Sequence, residues 1–120
     1  MKLKLKQIWA SQAAMPKLLS RELADLRSSY FIGKNARLLD VEYDILNQKR
    51  IALVKQHGIE DVKSKQWNVP KEKMEQFNKE FEAILEQEVE VDITVIDIAT
   101  IPDAKLTPMD TVSIDFMLKV

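Results

Sequence analysis

Apolar residues return every three or four positions from Leu19 to Val54, and this run constrains the fold more than any other feature. Leu19, Leu23, Leu26 and Tyr30 make one set. Ile32, Ala36, Leu39, Tyr43, Leu46 and Val54 make a second, shifted by one place beside Gly33. A 4-3-4 spacing is the seam of an amphipathic helix, and the shift predicts either one long helix that drifts or two helices that meet near Gly33. Unbroken from 17 to 56, such a helix would reach roughly 60 Å, longer than a compact domain of this size needs. The seam therefore needs a partner helix, from its own chain or from elsewhere.

Pro70 opens a second helix over 70–87, with Met74, Phe77, Phe81, Ile84 and Leu85 on one face and Lys71, Lys73, Glu75, Lys79, Glu80 and Glu82 on the other. Folded back antiparallel on the long helix, it makes a helical hairpin. The segment between them, 59–69, has two short β-prone pieces around Lys63-Ser64-Lys65 and reads as a hairpin-like tip. His57-Gly58 marks the end of the long helix, with glycine suited to a left-handed cap. At the start, Lys2 to Lys6 alternates like a strand while 7–14 favours helix, and a short first helix is the preferred reading. Pro16 suits the first turn of the helix that follows.

Between 88 and 98 the pattern changes period. Val89, Val91, Ile93 and Val95 alternate with Glu88, Glu90, Asp92 and Thr94, as in a strand with one wet face. The phase then flips at Val95-Ile96, which predicts a bulge or a bend. A loop covers 101–104. Thr107-Pro108-Met109-Asp110 has the form of a helix start, and a short terminal helix presenting Met109, Val112 and Phe116 is expected. The rival is a strand, since Val112, Ile114, Phe116, Leu118 and Val120 also alternate.

The fold class that follows is α+β and mainly helical. It has a long amphipathic helix, unbroken or broken near Gly33, paired antiparallel with helix 70–87. A tip over 59–69, a short acidic β segment over 88–98 and a terminal short helix complete it. With 120 residues, 46% of them hydrophobic and 31% charged, one domain over 1–120 is expected. No apolar run reaches the roughly 20 residues of a membrane span, and no signal-peptide core follows the basic start, so an intracellular soluble protein is expected.

Composition removes several chemistries. With no cysteine there are no disulfides or thiolate sites, and a single histidine, His57, rules out a multi-histidine metal site within one chain. Two glycines cannot build a phosphate-cradling loop, and none of the serines sits in a nucleophile elbow. His57 reads as a helix cap. A nucleic-acid surface would have to come from Lys2, Lys4, Lys6, Lys17, Arg21, Arg27, Lys34, Arg37, Lys49 and Arg50 with Trp9 and Tyr30. The sequence pI of 5.9 and the absence of a reading element disfavour it. The balance of charge is uneven, however. Residues 1–57 carry seven Lys and four Arg against five acids, whereas 58–120 carry seven Lys against fourteen. Such a split pairs one half with the other or orients partners.

The carboxylates Glu86, Glu88, Glu90 and Asp92 sit on every second position. Two places apart on a strand they are about 7 Å from each other, too far for adjacent ones to hold one ion unaided. Even with Asp97 or Asp103 borrowed, no basic catalytic residue stands at a recognisable spacing. The row is a wet strand face first, and docking on a basic surface, the chain's own Lys2, Lys4 and Lys6 included, is its functional reading. Trp67 at the tip either staples the tip down or anchors a contact.

The start from Gln7 to Leu19 (QIWASQAAMPKLL), the segment from Val69 to Phe81 (VPKEKMEQFNKEF), the run from Glu88 to Ile93 (EVEVDI) and the ending LTPMD with DFM at 115–117 resemble a family of small proteins encoded by tailed bacteriophages and prophages. The likeness spans nearly the whole chain. It implies a phage setting, in the host cytoplasm or the virion, and supplies no activity, catalytic residue or cofactor to carry over. The expectation is a non-enzymatic factor acting by protein–protein interaction in head or tail assembly. Inhibition or triggering of a host defence protein is the alternative. Its partner would be a phage structural protein, a host protein or a second copy, and Trp67, Glu88, Glu90 and Asp92 are the candidate contact residues.

Overall fold

The longest element, α3 (Leu26–His57), runs through Gly33 without a break. The computed structural model describes residues 1–20, 25–101 and 106–119. Asp25 caps α3, its side chain accepting from Arg27 N at 3.0 Å. The 32 residues run about 48 Å, close to the 50 Å long axis of the molecule. The phase shift is therefore a change of face within one helix. Ile32, Ala36, Leu39 and Leu46 are buried, whereas Leu26 and Tyr30 are 84% and 64% exposed. A glycine inside a helix costs about 1 kcal/mol relative to alanine. The burial of Ile32, Asn35 and Ala36 on the same turns carries α3 across it.

The expected helix start at 17 is corrected. Met15–Leu19 form a separate helix, α2, with Pro16 in its first turn. The extended backbone of Asp25 opens α3 afresh, and Leu23 lies outside the described residues. Both readings of the N-terminus hold in succession: Lys2–Lys4 form strand β1 and Leu5–Ala10 form helix α1. Gln7 Oε1 accepts from Lys4 N at 2.9 Å where strand becomes helix.

Ile59–Asp61 (β2) and Gln66–Asn68 (β3) pair antiparallel and make the tip a true hairpin. Lys65 closes its turn at φ 57°, in the left-handed region, with its N donating to Asp61 O at 2.7 Å. Gly58 is not a left-handed cap. Its φ of −99° and ψ of 171° are extended. Glycine is needed there for space: an added Cβ would stand 2.3 Å from Val54 O and 3.0 Å from Asn68 O. Helix α4 (Lys71–Leu85) follows Pro70 and packs along α3. His57 Nε2 and Glu80 Oε2, 2.6 Å apart, tie the last turn of α3 to it. Trp9 of α1 meets Phe81 edge-on, and Phe81 stacks on Phe77.

The acidic segment forms two short strands. Glu88–Glu90 (β4) pairs antiparallel with β1, and Ile96–Asp97 (β5) pairs parallel with Leu118–Lys119 (β6). The C-terminus takes the helical reading, as α5 (Pro108–Ser113) followed by a single 3₁₀ turn at Asp115–Met117; of the rival strand only the two residues of β6 form, and Val120 lies outside the described residues. The face expected to be apolar in α5 is corrected. Met109 and Val112 are exposed, and the helix buries Asp110. Asp110 is drawn inward because its Oδ2 accepts from both Thr107 N at 3.0 Å and Lys17 Nζ at 2.8 Å. Ile114 and Met117 supply the apolar anchor instead.

The buried residues form one cluster. Leu3, Leu5, Ile8, Met15 and Leu18 meet the inner face of α3 up to Leu46, with Val91, Ile93, Ile96, Ile114 and Met117 on the other side. Beyond Leu46 no residue of α3 is buried, and α4 has none. The molecule is thus a packed body from which the far part of α3, the tip and the near part of α4 extend as an arm. Among the described residues no helix is long and apolar enough to cross a membrane.

Candidate functional site

The acid row meets basic residues of its own chain. In the β1–β4 ladder Lys2 faces Glu90, Leu3 faces Val89 and Lys4 faces Glu88. Leu3 points into the core, so the charged pairs share the wet side, where opposite charges across strands attract. The terminal ammonium of Met1 reaches Glu90 Oε1 at 2.6 Å, and Lys4 and Lys6 each reach a Glu86 oxygen at 3.1 Å. With Lys17–Asp110 and His57–Glu80, every ion pair among the described residues joins a cation of 1–57 to an acid of 58–120. The uneven charge of the two halves is used, at these pairs, to hold the halves together.

These contacts lower carboxyl pKa values. Hydrogen bonds from Lys4 and Lys6 hold Glu86 below its ordinary value of 4.5. The terminal ammonium does the same for Glu90, and Lys17 followed by the Thr107 backbone for Asp110. A carboxyl depressed on folding adds stability above its unfolded pKa, and loses it as pH falls through the folded value. Urea midpoints measured from about pH 7 down to about pH 3 are therefore expected to fall below about pH 4.5. Glu86→Gln should flatten that slope; an unchanged slope would remove the ion pairs as its cause.

The phase flip falls where expected, and Asn35 explains how it is held. Val91 and Ile93 are buried, Val95 is exposed and Ile96 is buried again. Ile93 N donates to Val91 O at 2.9 Å, a tight local turn. Next to it the Asn35 amide takes both backbone groups of Thr94: its Nδ2 donates to Thr94 O at 2.9 Å and its Oδ1 accepts from Thr94 N at 3.0 Å. Asn35 is fully buried and stands in for a neighbouring strand. Its place on the Ile32, Ala36 and Leu39 stripe was the available signal, a polar amide among apolar positions. Ser11 is also fully buried, bonded to Ile8 O at 2.6 Å and to the Tyr43 hydroxyl at 2.5 Å. Burial raises the Tyr43 pKa.

The four candidate contact residues do not converge. Glu90 is occupied by the chain terminus, while Glu88 and Asp92 are exposed and have no ion-pair partner among the described residues. Trp67 stands on β3 opposite Glu60 in the tip, 38% exposed; Val62 in the turn is 87% exposed, and Ile59, paired with Asn68, is on the other face of the hairpin. The fifteen residues of α4 put about 22 Å between tip and acidic strand. Two separate surfaces result, the tip with Trp67 and the acidic segment. No group of three His, Cys, Asp or Glu among the described residues stands close enough to hold a metal ion. Asp103 lies outside those residues. Of the ten cations that a nucleic-acid surface would need, Lys4, Lys6 and Lys17 are ion-paired, and Trp9 packs on Phe81.

Comparison with protein-family models, curated proteins and solved structures finds no match.

Proposed function

We propose that this chain is a non-enzymatic protein-binding factor that engages its partner through the end of the α3–α4 arm, with Trp67 as anchor. The observation that carries this reading is the exposure of Trp67, with the apolar Val62 in the adjoining turn, on a hairpin held beyond the core. Apolar side chains exposed at a projecting tip gain by being covered, and a half-exposed tryptophan is the residue type that most often dominates such contacts. The resemblance to phage-encoded proteins supplies the setting: assembly of a phage head or tail, in the host cytoplasm or in the particle.

The test is affinity capture from phage-producing cells with the tagged chain and with Trp67→Ala. Wild type is expected to retrieve a head or tail protein. The variant, with its helical circular dichroism intact, is expected to retrieve it at least about tenfold less well. Equal capture by a folded variant would remove Trp67 from the contact. A host enzyme as the Trp67-dependent partner would replace assembly by counter-defence.

A further inference from the structure

On the outer side of α3 a groove of about 360 Å³ is lined by Ser29, Tyr30, Gly33, Lys34 and Arg37. Nothing stands within 4 Å of the place a Gly33 side chain would occupy, so the packing of the chain itself does not call for glycine here. What glycine leaves is room for the close approach of another backbone. Lys34 and Arg37 flank that notch, and neither has an ion-pair partner among the described residues. Two copies crossing groove to groove would set these cations against each other, so the occupant carries negative charge.

The chain itself supplies such an occupant in Glu88 and Asp92, the two exposed acids of the row with no ion-pair partner among the described residues. They cannot reach their own groove. Asn35 faces inward and holds Thr94, two residues beyond Asp92, while Gly33 and Arg37 lie about 200° around the helix from Asn35. The acidic strand and the cationic groove are on opposite sides of α3. We infer that copies of this chain associate head to tail, the Gly33 groove of one receiving the Glu88–Asp92 segment of the next. A contact between two different surfaces closes into a ring or continues as a filament, and it weakens with salt. The tip takes no part, so Trp67→Ala is expected to associate like wild type, and failure here leaves the tip reading standing.

The experiment is analytical ultracentrifugation of the full chain over a range of concentrations at about 50 mM and about 300 mM salt. The mean mass is expected to grow with concentration at low salt and to fall back toward the monomer at high salt. Lys34→Glu with Arg37→Glu, or separately Glu88→Lys with Asp92→Lys, is expected to weaken association at least about tenfold. An equal mixture of these two double variants is expected to restore it, because each then offers the other's complement. A wild-type chain that stays monomeric at low salt, or association that survives either charge reversal, would overturn the proposal.

Discussion

Replacing Asn35 by alanine is expected to lower the unfolding free energy by about 2–4 kcal/mol, read as a fall in the urea midpoint. The amide is fully buried, and both its ends are bonded to Thr94, at 2.9 and 3.0 Å. Without it the Thr94 N–H and C=O lose their partner where the chain has left the β1–β4 ladder and not yet reached β5. A buried backbone group left unpaired costs about 1–3 kcal/mol, and the space vacated by the amide adds to this. Asn35→Asp separates the two bonds, since a carboxylate keeps the acceptor and loses the donor. It also places a charge in a dry site, so this variant is expected to be worse than alanine near pH 7 and to recover as the pH falls. A loss under about 0.5 kcal/mol for Asn35→Ala would mean that water serves Thr94 as well as the amide does.

Gly58→Ala is expected to detach the tip. The added methyl would stand 2.3 Å from Val54 O and 3.0 Å from Asn68 O, both backbone atoms that no rotamer change can move. Either the last turn of α3 or the end of β3 must shift, at about 1–3 kcal/mol. The isolated two-stranded hairpin has little to hold it otherwise. Because no residue beyond Leu46 in α3 is buried, the damage should stay local. Hydrogen exchange across 59–68 is expected to rise and Trp67 fluorescence to shift to the red, with a smaller change in the exchange of the body. Gly58→Asn tells the two roles of glycine apart. Asparagine tolerates a left-handed cap, but here it should fail as alanine does, since the obstacle is a close approach. Capture of the partner is expected to fall with the tip.

Features carried by neighbours in sequence were legible from the residues. Pro70 with the Phe77, Phe81, Ile84 and Leu85 face marks α4, and Thr107, Pro108 and Asp110 mark the start of α5, because periods and caps are set within a few residues. Glu88 and Glu90 were legible as a wet strand face for the same reason, whereas Glu86 ends α4 and Asp92 lies beyond β4. What stayed hidden depended on distant partners. Lys2–Lys4 become a strand because β4 lies beside them, with Lys2 facing Glu90, 88 positions further on. Leu26 and Tyr30 look like members of the seam, yet they face outward because the core meets α3 on the side of Ile32, Ala36 and Leu39.

By itself the sequence determined the helices, the hairpin tip and the chemistry that is missing, since these follow from period, capping and composition. Only the tertiary structure decided which face of α3 is buried, that Glu90 serves the chain's own terminus, and that Asn35 replaces a strand at Thr94. Each of these rests on groups far apart in the chain, and a local pattern carries no information about which of two apolar faces, or which of several carboxylates, the rest of the molecule will cover.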